Sequence, residues 1–151
     1  LEFRRVLFRS IIPLESVLEH VLAPIAAAHP TLLLVMDGLS TSIFRELFAR
    51  IASQGWAEMV PSSLGQPLAG VAALPTITEV SRASLLCGRL TVGASAQEKT
   101  GFATNAALLA HSRADAPPRL FHKGDLADAT NLAPEVRAAI ASTRSRRKDS
   151  N

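Results

Sequence analysis

The sequence predicts an α/β fold built around a mostly parallel sheet, and three observations carry that prediction. Five apolar residues, Leu32 to Met36, lead directly into Asp37 and Gly38. Apolar residues then recur at helical spacing, and a hydroxyl-rich turn at 76–78 opens a second apolar helix. A length of 151 residues suits one compact domain.

The first predicted element is a helix from Pro13 to Ala28. Pro13 suits its first turn, whereas Pro24 lacks an N–H and is expected to kink or split the helix. Residues 31–36 then predict a buried parallel strand that delivers Asp37 to the carboxyl edge of the sheet, where open α/β sheets bind ligands. The apolar face of the helix consists of Leu14, Val17, Leu18, Val21, Leu22 and Ile25.

A βαβ unit follows from the next two elements. Ser40 or Thr41 is expected to cap a helix that runs to about Gln54, with Gly55 in the C′ position. Residues 56–60 are predicted to form a second strand. The helix would then connect two parallel strands, and such a crossover is expected to be right-handed.

The second half of the chain is less regular. A turn-rich connection leads to a helix from Thr78 to Cys87, which Gly88 ends. Residues 91–118 predict an irregular excursion over the surface, and residues 119–122 a short strand. A last helix, capped by Asn131, has Pro134 in its first turn and an apolar face of Val136, Ala139 and Ile140.

The two ends of the chain differ from residues 11–141, which we interpret as the folded domain. Residues 1–10, LEFRRVLFRS, match the translation of a common sequencing-adaptor oligonucleotide and are interpreted as foreign. Residues 142–151 are interpreted as a basic tail, disordered or artefactual. The net charge of +3 comes from these ends, since residues 11–143 carry −2. Direct nucleic-acid binding is therefore not supported.

Cysteine content and hydropathy indicate the compartment. Cys87 is the single cysteine, so no internal disulfide forms and no oxidising compartment is required. No apolar run reaches the roughly 18 residues of a membrane span. We therefore expect a cytoplasmic protein with no membrane partner.

Asp37 and two threonines are the candidate chemical groups. A carboxylate at the end of a buried strand is a hard oxygen ligand for a divalent ion, although a solvated turn is an equally good interpretation of Asp37. Thr76 and Thr78 lie at a predicted helix start, where free N–H groups favour anions. A hydroxyl there could attack phosphorus, but plain helix capping explains Thr78 as well.

Ser81 and Arg82 follow about one helical turn after Thr78. Arg82 is able to clamp a phosphoryl oxygen by a bidentate contact, and its alternative is an ion pair with Glu79. His122, with Lys123 and Asp125 beside it, forms a compact polar group for which a structural or surface role is favoured.

The complete motifs of three other enzyme classes are missing from the sequence. Residues 38–42 partly imitate the Gly-x-Ser-x-Gly elbow of serine hydrolases, with Ser40 as nucleophile, but they lack the last glycine. Neither a Gly-x4-Gly-Lys-Ser/Thr phosphate loop nor a Gly-x-Gly-x-x-Gly dinucleotide motif occurs.

The succession LLLVMDG, a helix, GWAEMVP, LPTITEVSRASLLCGRL and LFHKGDL resembles the alkaline phosphatase superfamily, and within it the PglZ domain of type 2 BREX phage-defence systems. The resemblance covers roughly residues 13–141. It implies a three-layer αβα sandwich, here truncated, with two divalent ions (Zn, Mn or Mg) at the carboxyl edge of the sheet.

The resemblance also implies residue roles. Asp37 is the first metal ligand, and Thr78 is both nucleophile and second ligand, with Thr76 as the alternative nucleophile. Ser81 falls where related enzymes carry an asparagine that contacts phosphate. With the arginine chemistry described above, we expect Ser81 and Arg82 to contact a phosphate-ester substrate. The remaining ligands are expected beyond residue 141, so this segment alone is expected to be inactive.

The implied setting is bacterial phage defence, with other BREX proteins as partners. A non-catalytic scaffold in the same defence complex is the alternative function.

Overall fold

The structure is a computed structural model that describes residues 11–61, 65, 67–113, 116–128 and 131–145. Residues 1–10 and 146–151, which include the predicted foreign segment and most of the predicted tail, lie outside the described residues. The described helices are α1 (Ala23–Ala28), α2 (Thr41–Ala52), α3 (Thr78–Cys87), α4 (Ser95–Ala103), α5 (Ala106–Leu109), α6 (Lys123–Leu126) and α7 (Pro134–Ser145).

The chain is mixed α/β with 51% helix, which confirms the predicted class at its coarsest level. Strands β1 (Ile11–Pro13) and β2 (Ala69–Val71) form one two-stranded sheet. Strands β3 (Ala127–Asp128) and β4 (Asn131–Leu132) form a second, antiparallel one. An alkaline-phosphatase-like sandwich needs a wider sheet than these pairs supply, and it stays a prediction.

The described residues divide into two compact units. The first contains Leu34–Val71 and the chain up to Ile12, and the second contains Pro13–Leu33 and the chain from Ala72 onward. Of the candidate site residues, Asp37 belongs to the first unit, whereas Thr78, Ser81 and Arg82 belong to the second.

The first helical segment of the second unit is divided, as the sequence predicts. A 3-10 turn (Leu14–Ser16) and a π-helical turn (Leu18–Leu22) precede α1. Pro24 occupies the start of α1. Because proline lacks an N–H and its ring crowds the carbonyl four residues earlier, the regular α-helical ladder cannot run through this point. The wide turn before Pro24 is the local result.

The core of the second unit is helical. Leu18, which is fully buried, packs in one cluster with residues of α3, α4 and α5. Each buried leucine stabilises the unit by about 1.5–3 kcal/mol relative to an exposed one. The buried members of the cluster are Leu18, Leu22, Ala23, Leu85, Leu86, Phe102 and Leu108.

The predicted buried strand over residues 31–36 is wrong. These residues form no strand, and Leu32 is 78% exposed, whereas Thr31 and Leu33 are half-buried. That alternation is the period of two expected of extended backbone. The physical reason is that a buried parallel strand needs hydrogen-bonded neighbours on its edges, and no strand among the described residues pairs with it.

Four further sequence predictions are corrected. Residues 56–60 and 119–122 form no strand, for the same lack of a described partner. Residues 91–118, predicted as irregular, contain α4 and α5. Asn131 lies in β4 instead of capping α7, which begins at Pro134. In the part of the chain that the structure describes, no helix combines the length and apolar character needed to cross a bilayer.

Candidate functional site

The start of α3 holds the predicted nucleophile. Ile77 is extended (φ −94°, ψ 155°) and occupies the N-cap, so Thr78 is the first helical residue. The alternative role of Thr78 as the cap is therefore wrong. Thr78 is half-buried and Thr76 is exposed. The first amides of a helix have no acceptor within it and carry partial positive charge, so this end of α3 favours an anion.

Ser81 ties α3 to the chain that precedes it. Its hydroxyl donates a hydrogen bond of 3.0 Å to the carbonyl oxygen of Ala73. Because the Ser81 hydroxyl already donates its one hydrogen, it can only accept further hydrogen bonds. A phosphate oxygen is itself an acceptor and cannot supply one. The structure thus gives Ser81 an anchoring contact and offers no support for its predicted contact with substrate.

Three more hydrogen bonds fix the position of α3. Buried Ser84 donates to the Thr91 carbonyl and accepts from the Thr91 amide, both at 3.1 Å. The amide of Gly93 donates to the carbonyl of Glu79 at 2.9 Å. Both ends of α3 are therefore held by the chain on either side of it, and Thr78 occupies a defined place.

Arg82 pairs with Glu98 of α4, instead of the Glu79 that the sequence suggests. Its Nε donates a 3.0 Å hydrogen bond to Glu98 Oε1. The Arg82 side chain is 30% exposed and the Glu98 side chain is fully buried. Thr78 and Arg82 are separated by four residues on one helix, so they share a face of α3. Glu98 therefore orients the arginine nearest to the predicted nucleophile.

His122 contacts the second oxygen of Glu98. Its Nε2 lies 3.3 Å from Glu98 Oε2 and also 3.3 Å from the carbonyl oxygen of Ser95. The distance to Oε2 is close enough for an ion pair, yet no donor is aligned for a hydrogen bond to that oxygen within the described residues. The contact is therefore electrostatic when the imidazole is protonated, and it is not a hydrogen bond.

A second ion pair lies beside the first. Lys99 Nζ is 2.7 Å from Asp125 Oδ2, which also accepts from the backbone N–H of His122 at 2.8 Å. The hydrogen bond from Lys99, followed by that from the His122 N–H, lowers the pKa of the Asp125 carboxyl below its ordinary value. The predicted structural role of His122 and Asp125 agrees with these contacts.

Asp37 lies in an exposed turn of the first unit. The following Gly38 has φ 74°, a left-handed conformation that glycine adopts without strain. Because the preceding residues form no strand, Asp37 is not held at a sheet edge.

The described residues do not bring together enough ligands for the two divalent ions that the resemblance implies. No group of three or more His, Cys, Asp or Glu side chains that could hold a metal occurs there. Asp37 and Thr78 are only two candidate ligand residues, whereas a two-metal site needs several oxygen and nitrogen ligands.

Sequence reasoning missed Glu98. It lies in the segment predicted to be irregular, where a charged residue is expected to be solvated. The available signal was the run SAQEKTGFA, which consists largely of good helix formers. Asn105, whose side chain accepts from the amide of Leu108 to cap α5, was a second signal.

Two other possible nucleophiles are the single cysteine, Cys87, and the serine-hydrolase candidate, Ser40. Burial raises the pKa of the Cys87 thiol, Arg89 opposes this, and Glu98 adds to it. Ser40 caps α2, since its Oγ accepts from the amide of Ile43 at 3.3 Å. The capping prediction for Ser40 is confirmed, and a nucleophile elbow lacks the strand that must precede it.

Comparison with known proteins gives no relative: no family model, curated protein or solved structure matches this chain.

Proposed function

We propose that this chain contributes the nucleophile of a metal-dependent phosphatase or phosphodiesterase-like domain that acts in bacterial phage defence. One observation supports the proposal above the others. Thr78 is the first residue of a ten-residue helix whose position is fixed by contacts at both ends. A hydroxyl held at the positive end of a helix is well placed to meet a phosphate ester.

The chemistry of the proposal is a double displacement. Thr78 Oγ1 attacks phosphorus, its proton passes to solvent or a base, and the ester oxygen leaves with the electron pair of its bond to phosphorus. Water then attacks the phosphothreonine, so that inorganic phosphate leaves and the hydroxyl is restored. The helix end favours the negative charge of the phosphoryl oxygens. No step is assigned to a metal, because the described residues do not gather its ligands.

Substitution of Thr78 in the complete protein tests the proposal. We expect Thr78→Ala to abolish restriction of phage plaques, because no hydroxyl remains to form the covalent intermediate. Thr78→Ser keeps the hydroxyl and is expected to retain part of the activity. Thr76→Ala is the matched control, since it removes an exposed threonine two residues away. Full restriction by Thr78→Ala would refute the role of Thr78.

A scaffold function is the second candidate, and a specific surface feature favours it. The first unit exposes large apolar side chains, including Trp56 at 69% and Met59 at 92%. Exposed apolar surface of this kind often marks a site of contact with another protein. If Thr78→Ala and Asp37→Ala both still restrict phage and Trp56→Ser does not, assembly with other defence proteins is the function.

A further inference from the structure

The short segment His122–Leu126 lies against α4 through polar contacts. Helix α6 within it buries no side chain. His122 reaches Glu98 and the Ser95 carbonyl, and Asp125 reaches Lys99. These polar contacts expose little apolar surface when they break, and Leu126 is already 37% exposed, so the segment can leave α4 at low free-energy cost.

The chain on either side of this segment is attached differently. Leu120 packs against the hydrophobic core cluster. On the other side, the amide of Ala133 donates to the carbonyl of Leu126 at 3.0 Å, next to the β3–β4 pair. The polar segment is thus bounded by an apolar contact before it and a backbone contact after it, which are natural limits for a local movement.

In the closed arrangement, one buried carboxylate oxygen lacks an aligned hydrogen-bond donor among the described residues. Glu98 is fully buried, and its Oε2 has no aligned hydrogen-bond donor among the described residues. A buried acceptor without a hydrogen bond raises the free energy of the folded state. When the segment moves away, water reaches Oε2 and that cost disappears, while Arg82 remains on Oε1. Hydration of Glu98 therefore offsets part of the cost of opening.

We propose that His122–Leu126 is a strap that closes over the carboxylate of Glu98 and opens as a local unit while the helical core stays folded. In the closed state the strap keeps water from a carboxylate that orients Arg82. In the open state the carboxylate is hydrated and the face of α4 that carries it is uncovered.

Hydrogen exchange on the whole 151-residue chain tests the strap. The amides of His122 and Asp125 are the reporters: each donates a hydrogen bond within the strap, and a four-residue helix that has left α4 does not hold these bonds on its own. We expect the opening that exposes these two amides to have a lower free energy than the opening that exposes the amides of the core leucines in α3. Raising the salt concentration should speed their exchange, because the Lys99–Asp125 pair is partly exposed and is screened.

Variants separate the contacts. Lys99→Met should speed exchange of the Asp125 amide roughly 1.5- to 5-fold, the range of an exposed ion pair. His122→Gln should also speed it, because it removes the imidazole whose Nε2 lies 3.3 Å from Glu98 Oε2 and from the Ser95 carbonyl oxygen. Lys123→Gln is the matched control, since it removes an exposed lysine of the same strap and should leave the rates unchanged. Core amides in α3 should keep their rates in every variant.

Two results would overturn the proposal. One is exchange of the strap amides only together with the α3 core, which would show that no separate opening exists. The other is unchanged exchange in Lys99→Met, which retains the buried contacts and so remains informative even if His122→Gln fails to fold.

Discussion

Gly101 of α4 lies directly against Cys87 of α3, and this contact determines how close the two helices come. A Cβ added at Gly101 would lie 2.5 Å from the Cys87 sulfur and 3.1 Å from its Cα. Replacing a helical glycine by alanine ordinarily stabilises a protein by about 1 kcal/mol. Here overpacking, at about 1–3 kcal/mol, outweighs that gain because the backbone of Cys87 cannot move aside cheaply.

We therefore expect Gly101→Ala to lower the free energy of unfolding of the second unit by up to about 2 kcal/mol, measured by chemical denaturation. Gly124→Ala in α6 is the control, because nothing lies within 4 Å of its added Cβ. The control should be neutral or slightly stabilising. Equal stability of the two variants would show that the α3–α4 contact has room to spare.

Asp125 gives a prediction for pH. Its pKa is lowered in the folded state, so its contribution to stability is present above the unfolded pKa of about 3.9 and is lost as the pH falls through the folded value. A carboxyl titration by NMR should find its midpoint below the ordinary range. Lys99→Met should raise that midpoint, because it removes the hydrogen bond that is the largest cause. Lys123→Gln should leave it in place.

Helices α2 and α3 could be predicted from the sequence because local chemistry determines them. Ser40 supplies the cap of α2, and Gly88, with φ 67°, ends α3 where the sequence placed the end. Both signals act within a few residues of the element they delimit. Residues 31–36 carry the composition of a strand, but a strand depends on partners that are distant in sequence, and composition does not reveal them.

Ser40→Ala tests the cap of α2. We expect it to destabilise the helix by about 0.5–2 kcal/mol, because the amide of Ile43 loses its acceptor. The measurement is exchange of the Ile43 amide, and Ser42→Ala, whose hydroxyl contacts Ser40 at 3.0 Å, is the comparison with a smaller expected effect. The same variant tests the serine hydrolase hypothesis: labelling of the wild type by a fluorophosphonate, lost in Ser40→Ala, would establish Ser40 as a nucleophile.

The candidate site could be predicted only in part. Thr78 and Arg82 could be selected as candidates because they belong to a helix whose start can be predicted from the sequence. Glu98 was not, because its role arises from the packing of α4 against α3, and no local pattern marks a carboxylate that will be buried. The partner of Arg82 was placed on the same helix, whereas tertiary packing supplies it from the next one.

At the scale of the whole molecule, the two units differ in how they bury apolar residues. The second has a cluster of seven buried apolar residues, whereas no residue of α2 in the first is buried. Each unit is therefore expected to have its own stability, since buried apolar area is the dominant favourable term in folding.

Hydrogen exchange over the whole chain measures this difference. The amides of Leu86 and Phe102 should be the slowest group, because they lie in helices that the core buries. The amides of residues 32–36 and 57–60 should exchange with little protection, because no strand hydrogen bonds hold them among the described residues. Strong protection there would mean that these segments pair as strands after all.

The two hydrogen bonds between Ser84 and Thr91, together with that from Gly93 to Glu79, have a consequence for how the gene can vary. They join residues on both sides of the turn after α3, so the number of codons between them is fixed by geometry. An insertion or deletion at Arg89 or Leu90 would move Thr91 out of reach of a buried hydroxyl. Natural length variation is therefore excluded from this turn and is tolerated more readily in exposed stretches such as residues 53–60.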